Sequence, residues 1–118
     1  MSIAIGSIIE TEAKTYLCQQ GLQFVTANFR SRGGEIDLIM KDKEVLVFVE
    51  VRARVSNDYG GALESVTRGK QQKIIKTALY YLTKKQLMDK CPTRFDLIIA
   101  EGKPFKMEWI PNAFSADY

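Results

Sequence analysis

The sequence predicts an α/β domain in which helices flank a mixed sheet, with the elements in the order α-β-β-β-α-β and a short further strand after them. Three observations lead there. Two segments carry apolar residues at helical spacing, three strand-like runs lie between them, and a hydrophilic turn joins the second and third runs into a hairpin. A hairpin makes antiparallel neighbours and a strand–helix–strand crossover makes parallel ones, so together they give a mixed sheet with helices packed on it.

The first helix is expected from about Ile8 to Gln20, because Ile9, Ala13, Tyr16, Leu17 and Gln20 recur at helical spacing and Gly21 is placed to end it. Ser7-Ile8-Ile9-Glu10 fits a capping box, which would account for Glu10 by local structure alone. Leu22 to Phe29 is rich in aromatic and β-branched residues and reads as the first strand. A glycine-bearing connection leads to the second, Gly34 to Met40, and Lys41-Asp42-Lys43-Glu44 turns into the third, Val45 to Arg52. In that third strand Val45, Val47, Val49 and Val51 share one face. The other face reads Leu46, Phe48, Glu50, Arg52, apolar at its start and charged at its end.

Residues 55–65, with adjacent Gly60 and Gly61, predict a flexible loop able to close over a substrate. A second helix follows, capped by Thr67 and reaching about Leu87, with a buried stripe of Gln71, Ile74, Ile75, Ala78, Leu79 and Leu82. Pro92 stops its continuation. Arg94 to Ala100 reads as the fourth strand, and Lys106 to Ile110 as a short fifth that ends before Pro111.

A chain of 118 residues suits one domain, and 46% apolar with 26% charged residues is ordinary for a globular protein. There is no histidine, which removes Ser-His-Asp and Cys-His relays and imidazole metal ligands. Cys18 and Cys91 cannot alone make a four-ligand zinc site and are expected as buried small hydrophobes with reduced thiols. The N-terminus lacks the pattern of a signal peptide and no apolar stretch reaches the ~20 residues of a membrane helix, so a cytoplasmic protein without a membrane partner is expected. Polar catalysis must then run on carboxylates, Lys, Arg, Tyr or Ser, with a hard, oxygen-seeking metal.

The net charge of +3 says less than its distribution. Arg68, Lys70, Lys73, Lys76, Lys84, Lys85 and Lys90 stand against the single acid Asp89 between Val66 and Lys90. Such a run is a footprint for a polyanion, or a solvated helix face. The acids carry more. Asp37 interrupts an apolar strand, and Glu50 lies on its hairpin partner just where that strand turns polar. Facing side chains on antiparallel neighbours approach within roughly 5 Å. Two carboxylates so placed repel unless one keeps its proton or a cation joins them, and Mg²⁺ or Mn²⁺ is the cation that carboxylates, carbonyls and water suit. Arg52 falls on the face of Glu50 and could grip a phosphate there; equally, Asp37 and Glu50 could be ion-paired with Arg52, Arg54 or Lys43 at an ordinary sheet end. Trp109 and Phe114 are expected in the core rather than as base-stacking platforms.

Gly34-Glu35-Ile36-Asp37-Leu38-Ile39, Val47-Phe48-Val49-Glu50-Val51-Arg52, Val66-Thr67-Arg68-Gly69-Lys70-Gln71, Arg94-Phe95-Asp96-Leu97 and the closing Glu108-Trp109-Ile110-Pro111-Asn112-Ala113-Phe114 together resemble the YraN-like family of bacterial proteins, in order and over nearly the whole chain. That family in turn resembles the PD-(D/E)xK nucleases. The resemblance implies a restriction-endonuclease-like core as a single domain. It implies metal-dependent hydrolysis of nucleic-acid phosphodiesters, DNA first and branched or damaged DNA in particular, with a homodimer as a common assembly. It implies that Asp37, Glu50 and the Val51 carbonyl hold Mg²⁺ or Mn²⁺, that Glu10 orients water or a second metal, and that Lys70 contacts phosphate, with Arg68 and Lys73 beside it. Two positions depart from the pattern. Arg52 stands where the superfamily has lysine, which preserves charge stabilisation but not a general-base role. Ile9 stands where the family has glycine. A nucleic-acid-binding module that keeps the fold without cutting, and a protein-interaction adaptor, are the alternatives.

Overall fold

The computed structural model describes residues 3–54 and 66–116, with side chains from residue 6 onward. The expected loop at 55–65 lies outside the described residues. The elements run α1 (Ile3–Gln19), β1 (Gln23–Ser31), β2 (Gly34–Asp42), β3 (Val45–Arg54), α2 (Arg68–Lys84), β4 (Thr93–Glu101) and β5 (Lys106–Phe114). The five strands form one sheet in sequence order, antiparallel throughout except for the parallel β3–β4 pair. That one parallel pair is the crossover through α2, so the α/β architecture, element order and mixed sheet are as the sequence predicts.

One helix covers each face. Ile9, Ala13 and Leu17 of α1 pack on Leu38, Met40, Val47, Val49, Val51, Ile98 and Ala100. On the other face Ile74, Ala78, Tyr81 and Leu82 of α2 pack on Ile36, Ile39, Leu46, Phe48, Phe95, Leu97 and Ile99. β3 thus divides its side chains as its alternation requires, valines toward α1 and Leu46 and Phe48 toward α2. Phe48 stacks on Phe95 with ring centroids 5.5 Å apart, and Phe95 on Phe114 at 5.0 Å. Thr67 caps α2, its side chain accepting the N–H of Lys70. Among the described residues, no helix is long and apolar enough to cross a membrane.

Several local expectations are corrected. α1 begins at Ile3, so Ser7 lies inside the helix, where its carbonyl accepts the Thr11 hydroxyl at 2.9 Å; it caps nothing, and Glu10 needs another explanation. α2 ends at Lys84 and buries Thr77 and Tyr81 in its stripe. β5 runs through Pro111 to Phe114 because it is an edge strand, where a missing N–H costs no ladder bond. Cys18 is exposed and Cys91 half-buried, rather than both in the core. Trp109 is half-buried and packed on the α1-side core, with Nε1 donating to Asp96 at 2.9 Å.

Asp96 fastens the end of the sheet. It is 0% exposed and accepts four bonds: Arg94 Nε at 2.8 Å and Nη2 at 2.9 Å, Trp109 Nε1, and the backbone N–H of Asn112 at 2.9 Å. Arg94 reaches on to Asp42 at 3.1 Å, so β2, β4 and β5 share one polar clamp whose buried charge is fully partnered.

Candidate active site

The β2–β3 ladder pairs Asp42 with Val45 and continues to Leu38 with Val49, and there its regular pairing stops. The next pair in that register would be Asp37 and Glu50. Asp37 instead turns its carboxylate into the ladder and accepts the backbone N–H of Val51 at 2.8 Å. The side-chain alternation breaks at the same place. Leu38 packs in the α1-side core, yet Ile36, two residues earlier, packs in the α2-side core. β1 does likewise, with Ala27 against the α1-side core and Phe29 against the α2-side core. Between them sits Asn28 at φ 52°, the left-handed region that Asn tolerates better than most residues. The register places Asn28 opposite Asp37. Both strands therefore change face at one point, and the opening in the sheet lies there.

The opening is a cavity of about 290 Å³ lined by Gly6, Ile9, Glu10, Glu35, Asp37, Glu50, Val51 and Arg52. All four acids and bases expected to be catalytic, Glu10, Asp37, Glu50 and Arg52, are brought together in it, as is Val51. Burial pushes the Asp37 carboxyl up to about 9, and its hydrogen bond and charge repulsion with Glu50 push the same way against the Val51 N–H. Asp37 is thus held toward its protonated form beside Glu50. Glu50 is held on its other side by Arg52 Nη2 at 3.0 Å, with side chains 13% and 28% exposed respectively. The ion pair weighed from sequence therefore exists for Glu50 with Arg52, while Arg54 pairs with Glu101 at 2.6 Å on the adjoining strand. Arg52 Nε is buried without a hydrogen-bond partner.

Glu10 enters from α1. Its Oε1 accepts the side-chain amide of Asn28 at 2.8 Å, and the same amide nitrogen lies 3.2 Å from Glu35 Oε1. Burial raises the Glu10 carboxyl, the Asn28 bond opposes this, repulsion from the Asp37 and Glu35 acids adds to it, and the Arg30 charge pulls the other way. Asn28 and Glu35 are site residues that the sequence reading did not single out. Glu35 could have been found, being two positions before Asp37 on a strand. Asn28 could not, since its place depends on a left-handed residue inside a strand.

Two carboxylates and a backbone carbonyl are a donor set that suits a hard divalent cation, and a carboxyl pushed up to about 9 by burial and a neighbouring acid is where such an ion would exchange for a proton. Among the described residues no group of three or more Asp, Glu, His or Cys is gathered as a ready cage, so such an ion would keep several waters. Arg68, Lys70 and Lys73 are exposed on α2 and none lines the cavity. Of the three, Lys73 is the one packed near the start of β2. A Cβ built on Gly34, at the start of β2, would stand 3.6 Å from Lys73 Cβ and 3.1 Å from Thr77 Oγ1, so α2 rides close on the strand that carries Glu35 and Asp37.

Comparison with known proteins agrees with the resemblance read from the motifs. The profile of the Uncharacterised protein family UPF0102 matches residues 9–100. A UPF0102 protein of Legionella pneumophila is 48% identical over 111 residues, covering 94% of both chains. One of Coxiella burnetii is 47% identical over 114 residues, 97% of this chain and 94% of its own. One of Hahella chejuensis is 49% identical over 115 residues, 97% and 92%. With the match spanning most of the chain and identity near one half, this protein belongs to the UPF0102 family, the YraN-like proteins.

Proposed function

We propose that this protein is a Mg²⁺- or Mn²⁺-dependent nuclease that hydrolyses phosphodiester bonds in nucleic acid, DNA before RNA. The observation that carries the proposal is the Asp37–Glu50 pair, brought together where the β2–β3 ladder opens, with Asp37 held protonated by burial and by its neighbour. An ordinary structural pair would be an acid and a base, as Glu50 and Arg52 are; Asp37 is a second acid beside them. Two acids at the mouth of a cavity store an unfavourable interaction that a divalent cation relieves.

Asp37, Glu50 and the Val51 carbonyl would hold the ion, which supplies neutralisation of phosphate charge and acidification of a water molecule when bound. Asp37 releases its proton on loading, and its bond to the Val51 N–H keeps the carboxylate aimed. Arg52, whose Nη2 is held by Glu50, would meet the negative charge that builds on the phosphorus oxygens. Lys73, with Lys70 and Arg68 beyond it, holds the flanking backbone.

The test is Mg²⁺ or Mn²⁺ titration calorimetry of wild type and of Asp37→Ala/Glu50→Ala, followed by labelled linear, single-stranded and branched oligonucleotides. Uptake and cleavage by wild type alone support the reading. Absence of uptake at millimolar metal, with nucleic acid present, overturns it.

A second reading has its own observation. Arg52 already neutralises Glu50 with a group that never deprotonates, as a retained but non-cutting site would. A nucleic-acid-binding module of this kind binds DNA or RNA without metal, loses affinity steeply with salt, and keeps it in Asp37→Ala.

A further inference from the structure

Glu10 reaches the cavity from a helix and Glu35 from a strand. What stands between them is a single neutral amide. Asn28 Nδ2 donates to Glu10 Oε1 at 2.8 Å and lies 3.2 Å from Glu35 Oε1. Glu35 is steadied in turn by Arg30 Nε at 3.2 Å, across the Arg30–Glu35 register pair. The Arg30 side chain is 74% exposed, so water screens much of its charge, and its pull on the Glu10 carboxyl is the weakest of those acting there.

We infer that Asn28 is a positioning residue of the site: its amide fixes the carboxylate of Glu10 beside the Asp37–Glu50 pair without adding a positive charge to the cavity. This rests on the metal-site reading proposed above and extends it to a residue outside the ligand set. The geometry supports a dedicated role. An NH₂ group has two hydrogens and can satisfy two acceptors without bringing charge, which Lys and Arg cannot do. The left-handed backbone at φ 52° turns the β1 side-chain sequence over at this one residue, directly across from Asp37. Asn is among the few non-glycine residues that sit there readily, and it also carries the amide.

A fastener that merely ties α1 to the edge strand would use the same hydrogen bonds, so the test must read the site and not only the fold. Asn28→Gly suits it, since glycine accepts the left-handed backbone and removes only the amide. Mg²⁺ dissociation constants are measured by calorimetry for wild type, Asn28→Gly, Glu10→Gln and the double variant. The expected result is a roughly tenfold weaker Mg²⁺ affinity in Asn28→Gly, the range seen when a partner that orients a metal site is lost. The double variant should be no weaker than Glu10→Gln alone, because Asn28 acts through Glu10. Equal affinity in wild type and Asn28→Gly, or additive effects in the double variant, overturns the inference while leaving the metal site standing. A wild type that takes up no Mg²⁺ overturns the site and this inference with it. Should Asn28→Gly fail to fold, the wild-type protein still decides. The Asn28 side-chain amide resonances should shift on Mg²⁺ addition in wild type and stay put in Glu10→Gln, and a wild-type amide unmoved at saturating Mg²⁺ would refute the role.

Discussion

Asp37 accepts the backbone N–H of Val51 at 2.8 Å across a gap in the β2–β3 ladder, one residue beyond the pair its register would assign it. A carboxylate thereby does what a strand carbonyl does elsewhere in the sheet. The exchange lets the two strands part without orphaning an N–H, at a point where Val51 lines the cavity. The same carboxyl is desolvated and crowded by Glu50, so the fold keeps open a place that is costly to ionise.

That cost should be measurable as stability. The Asp37 carboxyl titrates near 3.8 in the unfolded chain and near 9 in the folded one. Between these values the folded protein holds a proton that the unfolded chain has released, so stability falls as pH rises through this window. Asp37→Asn mimics the protonated acid, still able to accept from Val51 and to donate toward Glu50. It should stabilise the metal-free protein at pH 7–8 by on the order of 1–3 kcal/mol, with the gain shrinking as pH is lowered from 8 toward 4 and absent below that. Urea denaturation of both proteins at several pH values measures it, and a destabilised Asp37→Asn would contradict the assignment.

Metal uptake should carry the same proton. Below about pH 9 an ion that binds Asp37 must displace its hydrogen. Apparent Mg²⁺ affinity should therefore rise about tenfold per pH unit between pH 6 and 8, with about one proton released per ion. Calorimetry in two buffers of different ionisation enthalpy counts that proton. A dissociation constant flat across those pH values would mean that the carboxyl is already ionised.

Much of this site was legible in the sequence, for reasons that can be named. An acid inside an apolar strand, with a second acid where its hairpin partner turns polar, fixes Asp37 and Glu50 by register alone. The valine alternation of β3 gave its two faces correctly because nothing interrupts it before Val51. Glu10 was open to misreading because Ser7-Ile8-Ile9-Glu10 satisfies a capping box, and only the helix start at Ile3 shows that no cap is needed there. Pro111 looked like a strand end and is an edge residue. Asn28 was out of reach, because a period-2 reading assumes that strands do not turn over, and β1 does so at that residue.

Asp96 makes the structural counterpart to the site, a buried acid whose every bond is made. Asp96→Ala would leave Arg94 without two of its bonds and strand Trp109 Nε1 and the Asn112 N–H. Breaking a buried, partnered charge of this kind costs about 3–5 kcal/mol. Arg30→Ala should cost under about 0.5 kcal/mol, since its ion pair with Glu35 is exposed. Chemical denaturation of the two variants compares them directly, and similar losses would mean that the clamp at the sheet end is not what holds β5.

The basic face of α2 can be divided by distance from the start of β2, the strand that carries Glu35 and Asp37. Lys73 lies against Gly34 at the start of β2, whereas Lys84 is eleven residues further along the helix, roughly 16 Å at 1.5 Å per residue. If nucleic acid is held so that a phosphate enters between Asp37 and Arg52, its flanking backbone passes Lys73 and Lys70 first. Lys73→Ala and Lys70→Ala should each lower the salt slope of DNA binding by about one ion, and Lys73→Ala should slow cleavage as well. Lys84→Ala, at the end where its ammonium sits 5.9 Å over the Tyr80 ring, should change neither. Fluorescence anisotropy from 50 to 300 mM salt separates these outcomes. Equal effects at Lys73 and Lys84 would indicate a diffuse cationic face with no preferred track into the cavity, and a nuclease needs such a track.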